Sequence, residues 1–494
     1  MASPVVLGID LGTQRIKVAA VDVTSWRLVG TVQAGVRRFT GPTGMFEQDP
    51  NDWWAHVREL VPRLLTQEGI AAASVVAIGL SGHMHSLVPL DADGTPVHRC
   101  IAWLDTRSAT EAAYIAQVYA DRLWNPSISA YTAPKLMWLR RTAPESFARM
   151  RHAVFAKDYL RYRLTGQVAT DLSDASGSQL WDFEKSSWDD RLIEVLGLPA
   201  GVFPEVVAST AVAGVVTAEA ADQVGLVPGV PVACGAGDVA AAVFAGSDAS
   251  RDGILCNVGT ATQVIRLKVP AVRLSEATGA RYLFETGTPG QRFVMGAVPS
   301  TGLALDWWAR VLGPGVRPED LDDLASPLKD TGSPPVFLPY LQGTGTPKLD
   351  EAPLGAFLCM SADTDRAAMT RAVMEGVAYS IRYCAEALVG STLSASDVVT
   401  MAGGLTKSPR MRALLRGVLP GRIRTRDIPD ASLVGATVLA AVAVGAIGST
   451  EEAVRLLSTY EEWDDPDPAM TDLVKKGYAS FRDAIGGGVH SGGS

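Results

Sequence analysis

The chain has 494 residues, 47% hydrophobic and 20% charged, with 44 Lys and Arg against 53 Asp and Glu and a net charge of −9. That length exceeds what one hydrophobic core serves, so two or more domains are expected. The acidic balance and the lack of a basic stripe exclude a polyanion-binding surface, so no nucleic-acid partner is expected.

The N-terminus enters a strand pattern at once, without the basic region and long apolar stretch of a signal peptide. Residues 5–9 form an apolar run, residues 10–14 carry turn chemistry, and residues 16–21 form a second apolar run, which together predict a β-hairpin with Asp10 at its tip. Gly12 is free to take a positive φ, so the N–H groups of Gly12 and Thr13 can converge on an anion, and the Thr13 hydroxyl adds a donor. A hydrated Mg²⁺ between Asp10 and a nucleotide would explain a carboxylate beside such a turn; an ordinary hairpin is the alternative. Glu47, Gln48 and Asp49 read as helix-entry residues, with Pro50 in the first turn and Trp53, Trp54, Val57 and Leu60 on one face. A buried strand over residues 73–80 ends in Ser81-Gly-His-Met-His-Ser, the kind of strand end where open α/β sheets place ligands. Asp105 and Arg107 follow a third short apolar run, either lining a ligand site or paired with each other.

A mainly helical stretch covers about residues 109–196 and includes the polar segment at 170–177. Residues 231–234 read as a strand, Gly235 to Gly237 as a tight turn, and Asp238 as the start of a helix. An N-cap role suits Asp238, but the two crowded glycines before it favour close approach of a substrate. Residues 254–267 repeat the layout of the first hairpin around Gly259 and Thr260, which suggests a duplicated plan with two phosphate-facing turns and a boundary near residues 245–250. A strand at 398–402 then runs into Gly403 and Gly404, with Ser408 and Pro409 as the cap and first residue of a helix. Flat glycines there can accept a nucleotide face. The apolar run at 435–448 is too short to span a bilayer and reads as a buried helix. Residues 486–494 are rich in Gly and Ser and read as a flexible tail. Five widely spaced cysteines, Cys100, Cys234, Cys256, Cys359 and Cys384, suit reduced core thiols in a cytoplasmic enzyme.

No Walker-type phosphate loop occurs. Gly-Ile-Asp-Leu-Gly-Thr at 8–13, Gly-His-Met-His at 82–85, Thr-Ala-Pro-Lys-Leu-Met-Trp at 132–138, Lys-Asp-Tyr-Leu-Arg at 157–161, Gly-Ala-Gly-Asp at 235–238, Asn-Val-Gly-Thr at 257–260, Phe-Leu-Pro-Tyr-Leu at 337–341 and Ala-Gly-Gly at 402–404 resemble, in order, the motifs of the FGGY carbohydrate kinases, most closely the xylulokinases. The resemblance implies an α/β fold of two actin-like, hexokinase-like (ribonuclease H-like) ATPase domains with an interdomain cleft. It divides the chain into a sugar-binding and catalytic domain at 1–246, a nucleotide-binding domain at 247–485 and a tail at 486–494. It also implies ATP, Mg²⁺ and phosphoryl transfer to a terminal hydroxyl of a ketose, D-xylulose first and sedoheptulose, ribulose, an alditol or a sugar acid as alternatives. By position, Asp238 is the catalytic base and Asp10 the metal carboxylate. Gly12 and Thr13 make the first phosphate turn, Gly259 and Thr260 the second, and Gly403 and Gly404 the adenosine site. Met84, His85, Asp105 and Asp238 bind the sugar. The expected partners are the sugar and ATP, without a membrane, and with a homodimer as one candidate assembly.

The chain departs from the xylulokinase pattern at His83, Leu104 and Val239, and at Thr344 and Gly345. Val239 and Leu104 cannot hydrogen-bond a sugar hydroxyl, which bears on substrate choice. A non-kinase ATPase switch of the same superfamily would keep Asp10 and both hairpins but would not need the segments at 82–85 and 132–138. Lys135 reads either as a surface contact or as a helix anchor.

Overall fold

The computed structural model describes residues 3–41, 43–246, 253–277, 279–327, 335–350, 352–428, 430–457, 459–466 and 468–487. Two seven-stranded sheets organise it. In the first, Val5–Leu11 pairs antiparallel with Arg15–Asp22, which pairs antiparallel with Arg27–Gly35. On its other side Val5–Leu11 runs parallel to Val75–Gly82. In the second, Ile254–Val258 pairs antiparallel with Thr262–Leu267, Thr262–Leu267 with Arg292–Val298, and Ile254–Val258 runs parallel to Val398–Ala402. The two sheets share one plan, the duplication expected from the paired hairpins.

Each sheet is covered by helices whose apolar faces follow the sequence pattern. Pro50–Gln67 is capped by Asp49 and buries Trp53, Trp54, Val57 and Leu60 against the first sheet. Arg366–Val389 buries Val373, Val377 and Ile381 in the core of the second.

The halves are joined by two crossed helices. Asp238–Gly246 follows the first sheet but packs Ala240, Val243 and Phe244 on Leu255, Ile265 and Leu267 of the second. Ala431–Ala443 belongs to the later half but packs Val438, Ala440 and Ala441 on Val6, Val21 and Ala77 of the first. Glycines permit the contact. A Cβ at Gly79 would lie 1.9 Å from the Ala436 carbonyl oxygen, and one at Gly435 would lie 2.0 Å from that of Ala241. A separate seam ties the later half to the helical stretch, where the Asn125 amide accepts from the Leu283 N–H at 2.6 Å and donates to its carbonyl at 2.9 Å.

Several local expectations change. The strand expected at 73–80 runs from Val75 to Gly82 behind a short 3₁₀ turn. Ala236 and Gly237 are strand residues paired with Ser81 and Gly82, and the turn is confined to Gly235 with φ +82°. The helix Pro468–Gly487 extends into the expected tail, and residues 488–494 lie outside the described residues, as does most of the expected boundary segment. Cys359 is exposed, unlike the other four cysteines, because it lies just past the edge strand Ala356–Leu358. No helix among the described residues is long and apolar enough to cross a membrane.

Candidate active site

Three adjacent parallel strands of the first sheet end together. Asp10 pairs in register with Ser81, and Ser81 with Ala236, two residues before Asp238. Strands lie about 4.8 Å apart, so Asp10 and the Asp238 loop stand about 10 Å from each other on one sheet edge. A cleft of about 380 Å³ opens there, lined by Asp238 and Val239 from one half and Asn257, Gln263, Gly403 and Asp430 from the other.

Asp10 is buried, and Lys17, directly across the hairpin, places its ammonium 3.8 Å from Oδ2. Burial raises the Asp10 pKa, and Lys17 acts against that rise. Its Oδ1 is buried without a hydrogen-bond partner. Among the described residues no group of three or more His, Cys, Asp or Glu could cage a metal. A lone carboxylate with an uncommitted oxygen instead suits Mg²⁺, which keeps most of its shell as water and phosphate oxygens.

Asp238 opens the helix Asp238–Gly246, and its Oδ1 accepts from the Val239 N–H at 2.8 Å. Burial and then the charge of Asp10 push its pKa up to about 7, while the N–H groups of Val239 and Met84 pull it back. A carboxylate so poised can take a proton near neutral pH.

The two turns expected to face phosphates differ in their backbone. Gly12 is outside the left-handed region, and its N–H donates to the Arg15 carbonyl at 2.9 Å. The expected positive φ is absent because that bond closes the hairpin without it. Thr13 is held on both sides: its carbonyl accepts from Gln48 at 2.8 Å and its hydroxyl from the Trp103 indole at 3.0 Å. Gly259 and Thr260 lie in an exposed turn whose carbonyls accept from Gly302 and Leu303 at the start of the helix Gly302–Leu312. Gly403 has φ +107°, and a Cβ there would lie 2.4 Å from the Val258 carbonyl oxygen, so only glycine fits; Gly404 is open to solvent.

Met84 and His85 lie behind Asp238, and a Cβ on Gly237 would lie 2.3 Å from Met84 Cγ. His85 takes φ +66° and donates Nδ1–H to the Gly177 carbonyl at 2.6 Å, which leaves Nε2 as an acceptor. Burial lowers its pKa to about 3, so the ring is neutral. Lys135 is an anchor rather than a surface group: it is buried, donates to the carbonyls of His85 and Ala130, and is lowered to about 7 by that burial.

Asp105 is placed differently from the other expected sugar contacts. Both its oxygens are taken, by the Arg107 guanidinium at 2.7–3.0 Å and by the Phe46 N–H at 2.8 Å, and Arg107 also reaches Glu47 at 2.6 Å. The local spacing Asp-x-Arg closes a buried ion pair, so this carboxylate supports the loop and has no free oxygen for a ligand.

Two further groups belong to the site. Gln48, expected at a helix entry, joins Thr13 to His83, whose Nε2 donates to Gln48 Oε1 at 3.1 Å and whose Nδ1 accepts from Ser86 at 2.5 Å. Asp430, with φ +60°, reaches Lys17 from the other half at 2.6 Å. An Asp before a helix signals a cap, and this one makes no cap hydrogen bond.

Residues 5–245 match the model of the FGGY family of carbohydrate kinases, N-terminal domain, and residues 254–444 that of its C-terminal domain. A xylulose kinase of Staphylococcus epidermidis is 30% identical over 482 residues, covering 97% of this chain and 96% of its own length. A solved Brucella ovis structure, described as a xyloylose kinase, is 30% identical with a TM-score of 0.87, covering 97% of this chain and 98% of its own. A gluconate kinase from Lactobacillus acidophilus has a TM-score of 0.90 at 22% identity over 99% of both chains, a likeness of fold.

Proposed function

This chain belongs to the FGGY family of carbohydrate kinases and is an ATP-dependent sugar kinase, and from that premise we propose that it transfers the γ-phosphate of ATP to a terminal hydroxyl of D-xylulose. The observation that carries the reading is Asp238, poised at about 7 by burial and by Asp10 in a cleft lined from both halves. Its carboxylate accepts the hydroxyl proton as the oxygen meets phosphorus, which is the main proton-handling demand of phosphoryl transfer.

In this reading residues 1–246 hold the sugar and residues 247–485 the nucleotide. Met84 shapes the sugar pocket, and His85 Nε2 accepts from a sugar hydroxyl. Asp105 contributes indirectly, by holding its loop through the ion pair with Arg107. Thr13 with the Gly12 turn and Thr260 with the Gly259 turn face the phosphates, and Gly403 and Gly404 give the adenosine a flat backbone surface. Asp10 holds Mg²⁺, which when bound neutralises phosphate charge. Closure of the two halves excludes water, the competing acceptor. The relatives named xylulose kinase support the choice of sugar.

ADP release measured with ATP and Mg²⁺ across ketopentoses, ketoheptoses, alditols and sugar acids tests this. The expected result is sugar-dependent turnover, fastest with D-xylulose. Slow release indifferent to sugar would overturn the kinase reading, and faster turnover with another acceptor would overturn the substrate.

A further inference from the structure

Apart from the Gly177 carbonyl that takes the His85 ring, the polar segment at 170–177 has no part in the roles above, yet it touches the base loop, the sugar pocket and the later half. Asp171 caps the short helix Leu172–Ser176 and is buried. Its Oδ1 is 2.9 Å from the Lys157 ammonium, itself enclosed by Asp158 and Asp174, each at 2.8 Å. Its Oδ2 accepts from the Ser173 hydroxyl at 2.6 Å and the Ser209 hydroxyl at 2.7 Å. The single Ser173 proton is thereby committed, and its oxygen accepts from the Gly237 N–H at 2.9 Å. Further along, the Gly177 carbonyl takes the His85 ring, and the Ser176 hydroxyl takes the Glu285 N–H at 3.0 Å.

The backbone before Asp238 is held by the pairing of Ala236 and Gly237 with Ser81 and Gly82, and its glycines bring no side chains of their own to the packing. Gly235 is at φ +82° with its N–H on the Ser209 carbonyl at 3.0 Å. Gly237 has no side chain to pack, because Met84 and the Asp174 carboxylate occupy the space a Cβ would need. The bond from Gly237 to Ser173 is therefore a side-chain tie on the residue just before Asp238, whose carboxylate itself accepts from the Val239 N–H.

We propose that Ser173 is a positioning residue for Asp238: held by Asp171, its hydroxyl fixes the Gly237 N–H and so aims the carboxylate at the acceptor hydroxyl. The proposal rests on the reading of Asp238 as the base. A displacement of about 1 Å in a reacting group can cost about 10²-fold in rate, so a single hydrogen bond at this place has leverage on kcat.

Ser173→Ala and Ser209→Ala make the test, because each removes one hydroxyl from Asp171 Oδ2 and only the first releases Gly237. The Ser209 carbonyl on Gly235 is untouched. Ser173→Ala is expected to lower kcat about 10–100-fold with KM for ATP within about twofold, Ser209→Ala to keep kcat within about threefold, and Ser173→Thr, which retains the hydroxyl, to recover most of the loss. Where Ser173→Ala does not fold, Ser173→Cys, close in size with a weak acceptor, carries the same expectation. Equal loss of kcat in the two alanine variants, or unchanged kcat in Ser173→Ala, overturns the proposal. Asp238→Asn separates the two readings. If it is inactive while both serine variants behave alike, positioning alone fails; if it turns over like wild type, the base reading fails.

Discussion

Asp238→Asn lowers kcat by about 10²–10⁴-fold, the span a positioned base contributes, while leaving ATP affinity nearly unchanged. The amide keeps the size of the carboxylate and an oxygen for the Val239 N–H, so the helix start persists. It has no basic site for the hydroxyl proton. The groups proposed to face the nucleotide, Thr13, Gly259, Thr260 and Gly403, make no hydrogen bond to Asp238, so calorimetric titration with ATP should give a wild-type-like Kd. In the wild type, a base with a folded pKa of about 7 is protonated below that value. Turnover is therefore expected to rise with pH through about 7 and level off above it. Wild-type-like kcat in Asp238→Asn would remove this residue from the role.

Gly435→Ala weakens the joint between the halves by about 3 kcal/mol, at the upper end of the cost of overpacking. Its Cβ would lie 2.0 Å from the Ala241 carbonyl oxygen, and the obstacle is helical backbone that cannot rotate away. The two crossed helices would have to separate, which moves Asp238 at one helix start and Asp430 before the other. Thermal unfolding should show a midpoint several degrees lower, together with reduced kcat. The same substitution at Gly404, where a Cβ meets open space, should leave the midpoint within about 1 °C, since exposed changes are usually small.

The parts of this architecture legible in the sequence are those specified locally. Both hairpins, the helix behind Asp49 and the helix behind Ser408 follow from apolar period and cap chemistry over a few residues, and they stand where those signals put them. The α/β plan with two domains was readable from the repeated hairpin. Asp-x-Arg at 105–107 carried a local cue for an ion pair, and the pair formed. What stayed hidden depends on contacts distant in sequence. Gln48 acquires its role from Thr13 and His83, each 35 residues away, and Asp430 from Lys17 across the domain joint. Gly12 shows the opposite case: glycine at a turn licenses a positive φ but does not require one, and the bond to Arg15 forms without it. Gly435 sits in a run that reads only as a buried helix, and its close approach to Ala241 becomes visible only when both helices are placed.

Asp10 and Asp238, more than two hundred residues apart in sequence, act on each other along one edge of the first sheet. The most direct measurement is the titration of Asp238 by carbon NMR with labelled aspartate, in wild type and in Asp10→Asn, without nucleotide. The expected result is a wild-type pKa of about 7 that falls towards the ordinary carboxylate range when the Asp10 charge is removed. An ordinary value in the wild type, or a raised one that Asp10→Asn leaves unchanged, would contradict it.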